Sequence, residues 1–158
     1  ERVFKQALEQ GFLTVAHAGE EGTADNIHQA LALLDISRVD HGVRCSEDQN
    51  LIAQLITERI PLTVCPLSNI KLKVFDCMEK HNIVELLRQG VCVTINSDDP
   101  SYFGGYMTDN FLAVNQAHPM NKTEIAQFTF NAIEASFISE VKKGRLTTQL
   151  RAYVEMQP

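Results

Sequence analysis

Four short apolar segments, each separated from the next by a helical pattern, constrain the fold of this 158-residue chain most strongly. Their centres, at Val15, Val39, Val64 and Val93, lie about 24 to 29 residues apart, which fits one strand–helix unit each. Apolar residues recur at helical spacing between the segments, as in residues 27–34. This alternation predicts an α/β protein whose parallel sheet is covered on both faces.

Polar residues that can take part in chemistry follow each predicted strand. His17, His41, Ser68 and Asp98 all come directly after an apolar segment. The active sites of parallel α/β sheets lie at the carboxyl ends of the strands, so we expect these four side chains to meet there. An imidazole and a carboxylate together form a mixed ligand set suited to a hydrolytic metal site.

Each strand-end residue has a candidate role and a structural alternative. His17 and Asp98 are candidate metal ligands, and Glu20, three residues after His17, is a candidate proton carrier. His41 is a candidate base, and Asp99 is left to hold a substrate. However, a lone histidine at a strand end is more often structural, and an Asp-Asp-Pro sequence is also common in turns and helix N-caps.

Composition excludes several classes of partner. The chain is 44% apolar and 22% charged, as is usual for a globular domain. A net charge of −6 argues against binding to nucleic acid or to an anionic membrane surface. No apolar run approaches the roughly 20 residues that cross a bilayer, and the N-terminus lacks the apolar core of a signal peptide. We expect a cytoplasmic protein.

The four cysteines show no C-x-x-C pair. Cys65 and Cys92 lie in apolar runs, where cysteine usually acts as a small buried hydrophobe. We therefore expect reduced thiols, and the spacing argues against a zinc site made of thiolates.

Outside the strand ends the sequence supports only local predictions. Ser46 followed by Gln49 predicts a capping box at the start of a helix. Gly144, after two lysines, predicts a helix end, and residues 101–106 predict a glycine-rich aromatic loop over a pocket. Three further histidines are predicted to be solvated and to have no role in a site: His28, His81 and His118.

Four motifs follow the strands, in this order: His-Ala-Gly-Glu at 17–20, His-Gly at 41–42, Cys-Pro-Leu-Ser-Asn at 65–69 and Ser-Asp-Asp-Pro at 97–100. Together they resemble the adenosine/adenine deaminase family of metal-dependent hydrolases. Residues 39–44 and 99–106 are more similar to its adenine deaminase branch. The resemblance implies a (β/α)8 barrel that binds one zinc ion and hydrolyses the 6-amino group of a purine, releasing ammonia.

The resemblance also implies roles for individual residues of this chain. His17 and Asp98 would bind the zinc ion. Glu20 would protonate the ring nitrogen N1 while water attacks C6, and His41 would orient and deprotonate that water. Asp99 would hydrogen-bond the purine at N7. A further substrate contact would come from the backbone of Gly19, which would approach the ring edge.

The sequence departs from the family pattern in two respects. It contains no His-x-His pair, which the family uses as zinc ligands on its first strand. A (β/α)8 barrel needs about 250 residues, and only four of its eight units are expected here. We therefore interpret residues 1–158 as a single domain that forms the C-terminal half of such a barrel, with the N-terminal half absent.

A half barrel leaves sheet edges uncovered. The sequence therefore predicts self-association, or pairing with the missing half, from which the remaining zinc ligands would come. Two other interpretations stay open. The chain is either part of another hydrolase of the same barrel superfamily, or a structural or interaction fragment without activity of its own.

Overall fold

A single parallel sheet organises the computed structural model, which describes residues 1–156. Its four strands are β1 (Val15–Ala18), β2 (Arg38–His41), β3 (Leu62–Val64) and β4 (Val93–Ile95). They pair in the order β1-β2-β3-β4, and every pairing is parallel. The predicted parallel α/β architecture is thus confirmed, with each strand at or near its expected position.

Helices join the strands and continue beyond the last one. Over residues 1–156 they are α1 (Arg2–Glu9), α2 (Ala24–Leu34), α3 (Gln49–Thr57), α4 (Pro66–Lys71), α5 (Ile83–Arg88), α6 (Pro100–Phe103), α7 (Met107–Ala117), α8 (Lys122–Ala135) and α9 (Glu140–Met156). Two 3-10 turns, Val43–Glu47 and Met78–Lys80, complete the connections. Within the described part of the chain, no helix is long and apolar enough to cross a membrane.

The two faces of the sheet differ in chemistry. Strand register places His17 opposite Asp40, Asp40 opposite Thr63, and Thr63 opposite Thr94, so one face presents polar side chains. Alternate residues such as Val39 face the helices and are fully buried. Apolar side chains from the helices complete this core: they include Ile27, Leu51, Leu55, Ile83 and Phe128. Each such side chain contributes about 1.5–3 kcal/mol by leaving water, which holds the helices on one face and leaves the other for the site.

Three local predictions are wrong. Ser46 lies in a 3-10 turn, and Asp48 caps α3 instead by accepting the backbone N–H groups of Asn50 (2.8 Å) and Leu51 (3.4 Å). Gly144 lies inside α9, because a single glycine costs only about 1 kcal/mol in a helix. The start of the predicted aromatic loop forms the short helix α6.

Candidate active site

The carboxyl ends of the four strands surround one cavity of about 320 Å3. His17 reaches it from β1, Asp40 and His41 from β2, Cys65 from the end of β3, and Asp98 from the segment after β4. The structure therefore brings His17, His41 and Asp98 together. It does not bring Ser68 with them, since this residue is fully buried in α4, away from the cavity lining.

Unusual backbone conformations aim these side chains. His41 has φ 140° and Asp98 has φ 56°, both in a region that side-chain-bearing residues rarely adopt. His41 alternates with Asp40 along β2, yet both line the cavity, because the positive φ turns the end of the strand. Such conformations cost about 1–3 kcal/mol each and cluster at functional sites.

Gly19 allows the tight turn between His17 and Glu20. Its φ is 64°, and a Cβ atom added there would lie 2.4 Å from Cδ1 of Ile27. Its carbonyl accepts the backbone N–H of Arg44 at 3.0 Å. Only glycine therefore fits this buried turn, which sets the distance between the imidazole and the carboxyl group.

Glu20 and His41 form the buried polar pair of the site. Their Oε1 and Nδ1 atoms lie 3.2 Å apart, and the side chains are 17% and 3% exposed. Burial, followed by the nearby charge of Asp98, raises the pKa of Glu20, whereas burial and then His17 lower the pKa of His41. These shifts favour the protonated form of Glu20 and the neutral form of His41 relative to the same groups in water. A carboxyl group shifted toward its acid form and an imidazole shifted toward its basic form suit the roles of general acid and general base.

The carboxyl group of Glu20 has a second, better aligned partner. Asn69 donates a hydrogen bond from Nδ2 to Oε1 of Glu20 at 2.9 Å, and Nε2 of His81 lies 3.2 Å from Oδ1 of Asn69. The prediction that His81 is solvated is wrong, because this ring is only 2% exposed. No local signal reveals the contact, since Glu20, Asn69 and His81 lie far apart in sequence.

The cavity also offers ligand atoms for a metal ion. Among residues 1–156, one group of histidine, cysteine or acidic side chains could hold an ion, and it consists of His41, Cys65 and Asp98 with ligand atoms within 4.8 Å. The ring of His17 lies 4.7 Å from that of His41, and its Nδ1 is 3.7 Å from Oδ2 of Asp40. A carboxylate in this position can orient an imidazole ligand.

The donor chemistry of the cavity fits zinc bound through nitrogen and oxygen. Nδ1 of His41 is buried and has no well-directed hydrogen bond to any residue of the described chain. Burial raises the pKa of Cys65 to about 12, so this residue is a protonated thiol. His17 and Asp98 are exposed at the mouth of the cavity.

Asp99 has a structural role at the end of the same motif. Its Oδ1 accepts the backbone N–H groups of Ser101 (3.1 Å) and Tyr102 (3.2 Å), which caps α6. Pro100 follows at the first helical position, where a missing N–H breaks no hydrogen bond of the helix. The structural alternative for the Asp-Asp-Pro sequence therefore applies to Asp99, whereas Asp98 lines the cavity.

Curated relatives match nearly all of this chain, but only part of their own length. The adenine deaminase of Vibrio parahaemolyticus is 68% identical over 153 residues, which cover 97% of this chain and 45% of that protein. The adenine deaminase of Hahella chejuensis is 58% identical over 155 residues, covering 98% and 46%. The chain thus spans a little under half the length of these relatives.

A solved structure and a family profile extend the comparison. The crystal structure of adenine deaminase from Arthrobacter aurescens is 42% identical and superposes with a TM-score of 0.95 over 98% of this chain and 47% of that one. An amidohydrolase from Burkholderia ambifaria, with bound Zn, is 25% identical with a TM-score of 0.90, over 98% and 44%. This coverage agrees with half of a barrel. The family profile described as adenosine deaminase matches residues 1–153, and the chain belongs to this family.

Proposed function

We propose that this chain supplies the C-terminal half of a zinc-dependent enzyme that hydrolyses adenine to hypoxanthine and ammonia, with adenosine as the next substrate. One observation carries the proposal: Glu20 and His41 lie 3.2 Å apart with pKa values shifted in opposite directions. His41 lines the same cavity as His17 and Asp98, and Glu20 lies beside His41. Relatives named adenine deaminase favour adenine as the substrate.

His17 and Asp98 would hold the zinc ion together with ligands from the rest of the protein. Cys65 is a poorer candidate, because its pKa of about 12 means that losing the proton is costly. Asp98 and a neutral imidazole match the oxygen and nitrogen donors that zinc accepts in catalytic sites. A bound zinc ion supplies Lewis acidity, which makes water a better nucleophile near neutral pH.

Proton transfer would be divided between the two buried groups. Glu20, whose pKa is raised by burial, would give its proton to N1 of the purine as water attacks C6. His41, whose pKa is lowered by burial, would orient that water and take its proton. Asp99 would hydrogen-bond the ring at N7 beyond its helix-capping contacts, and the backbone of Gly19 would approach the ring edge.

Activity assays separate this proposal from the alternatives. The full-length protein, loaded with zinc, should release ammonia from adenine faster than from adenosine or other aminopurines. Failure on all purines would overturn the proposed function and would favour another hydrolase of the same barrel superfamily. If this chain on its own holds no stoichiometric zinc and gains no deaminase activity when zinc is added, a structural or interaction fragment is the better description of it.

The open sheet supports a proposal about assembly. Strands β1 and β4 are at the edges of the sheet within residues 1–156, and parallel sheets are normally buried on both faces. We infer that residues 1–158 act as one domain that pairs with the missing half barrel or, failing that, with a second copy. Size-exclusion chromatography with light scattering on this chain should show self-association. A well-behaved monomer at low concentration would contradict this proposal.

A further inference from the structure

A line of buried hydrogen bonds connects the start of α5 to Glu20. The backbone N–H of Ile83 donates to Nδ1 of His81 at 3.2 Å. Nε2 of His81 lies 3.2 Å from Oδ1 of Asn69, and Nδ2 of Asn69 donates to Oε1 of Glu20 at 2.9 Å. Each link has normal hydrogen-bond length, so the line is continuous from a backbone donor to the carboxyl group.

The first link determines the direction of all the others. Because Nδ1 of His81 accepts a hydrogen bond from Ile83, the neutral ring must carry its proton on Nε2. Burial lowers the pKa of His81 to about 3, which keeps the ring neutral. Nε2–H then donates to the oxygen of the Asn69 side chain, and the amide nitrogen faces Glu20. A flipped amide would place two donors against each other.

The last link occupies one oxygen of the Glu20 carboxyl group. Oε1 accepts the N–H of Asn69 at 2.9 Å and also lies 3.2 Å from Nδ1 of His41, so two polar neighbours meet at this oxygen. We propose that His81 and Asn69 are positioning residues, which fix the Glu20 carboxyl group and leave Oε2 as the oxygen that delivers its proton. The inference deepens the proposed function, in which Glu20 is the proton donor.

Both positioning residues are rigidly held before any substrate binds. Asn69 is 0% exposed, its backbone N–H donates to the carbonyl of Cys65, and its carbonyl accepts from Val74, both at 2.9 Å. The ring of His81 lies 4.4 Å from that of Phe75. A group preorganised in this way loses little entropy when the reaction begins.

Nuclear magnetic resonance tests the direction of the line without any assay of activity. In this chain, long-range 15N–1H correlation spectra at pH 6 should show His81 as the Nε2–H tautomer. The same signature should persist in Asn69→Leu, because Ile83 still donates to Nδ1. An Nδ1–H tautomer or a charged His81 ring would overturn the inference.

Kinetics of the full-length, zinc-loaded protein test the positioning role. Asn69→Leu should lower kcat about 10²-fold, the usual cost of a reacting group misplaced by about 1 Å, while KM changes less than about twofold. His81→Phe keeps the ring but loses the donor, and should lower kcat about tenfold. His81→Gln places an amide N–H near the position of Nε2 and should recover most of that loss.

Matched controls separate positioning from general destabilisation. Asn131→Leu removes a buried amide that donates to the carbonyl of Val93 at 2.8 Å, and His118→Phe removes a ring bonded to the carbonyl of Met78 at 2.8 Å. Both controls should keep kcat, and all variants should keep their zinc.

Unchanged kcat in Asn69→Leu, or a change in KM alone, would overturn the inference. A wild type inactive on purines would overturn the proposed function, and the His81 tautomer would still decide this inference.

Discussion

The two sides of the cavity differ in how completely this chain builds them. On the proton-transfer side, Glu20 and His41 are 17% and 3% exposed, and Asn69 holds the carboxyl group. On the ligand side, the His17 ring is 70% exposed, and Asp98 is exposed as well. One side is therefore ordered by the chain itself, while the other remains open to water.

In the proposed enzyme, this chain would supply the proton-transfer groups, and the metal ligands would come partly from the rest of the protein. Shifted pKa values need burial, and the helices after β1, β2 and β3 supply it within this chain. A catalytic zinc site usually has three protein ligands and an open position for water, so His17 and Asp98 alone are too few. We therefore expect the proton-transfer side to persist in the isolated chain and the metal side to depend on the rest of the protein.

Removal of His17, a proposed zinc ligand, should have the largest effect of any substitution. In the full-length protein, His17→Ala should lose stoichiometric zinc and lower activity by about 10⁴-fold or more, because the ion provides several kcal/mol of transition-state stabilisation. Metal analysis and ammonia release measure both effects. His28→Ala, which removes a surface ring paired with Asp48, is the matched control and should keep zinc and activity.

Glu20→Gln should impair the proton-transfer side of the cavity and leave zinc binding unchanged. The amide cannot deliver a proton, so kcat should fall by about 10²–10⁴-fold while zinc remains bound. The neighbouring Glu21→Gln is the control and should behave as wild type in the same assay. Loss of zinc in Glu20→Gln would show that the two sides are not independent.

The buried His81 predicts a pH-dependent stability of the proton-transfer side. Its folded pKa is about 3, below the ordinary value of 6.5, so its contribution is complete above pH 6.5 and is lost as the pH falls toward 3. One proton gives a slope of about 1.4 kcal/mol per pH unit. Between pH 6.5 and 4.5, urea unfolding should show wild type losing about 2–3 kcal/mol more than His81→Phe. Equal losses in the two proteins would contradict the prediction.

The difference between two matched glycine substitutions should be the smallest effect. Gly19→Ala would combine positive φ with a Cβ atom 2.4 Å from Ile27, and should destabilise the fold by about 2–4 kcal/mol. Gly90→Ala also has positive φ (95°) but meets no atom within 4 Å, so only about 1–2 kcal/mol is expected. Thermal unfolding measures the difference, and equal destabilisation would mean that the Gly19 turn is not tightly packed.

Strands and the residues at their ends can be predicted from the sequence, because they depend on short-range patterns of apolar residues. Apolar runs at regular spacing indicate the four strands, and their ends place His17, His41 and Asp98 at one cavity. Competing local signals are harder to rank: Asp48 caps α3 although Ser46 has the sequence of a cap, because the 3-10 turn shifts the start of the helix.

Contacts between residues that are far apart in the sequence could not be predicted from it. From the sequence, His81 is only a histidine before a helix, and the fold brings it within hydrogen-bond distance of Asn69, which in turn donates to Glu20.

The raised pKa of Cys65 should make the cavity resistant to oxidation. Burial and the nearby carboxylates raise the pKa of Cys65 to about 12, which disfavours its thiolate near neutral pH. Peroxides and alkylating agents attack the thiolate, so they should react very slowly with this residue. A sulfur atom can therefore line the cavity without making it a target for oxidative damage.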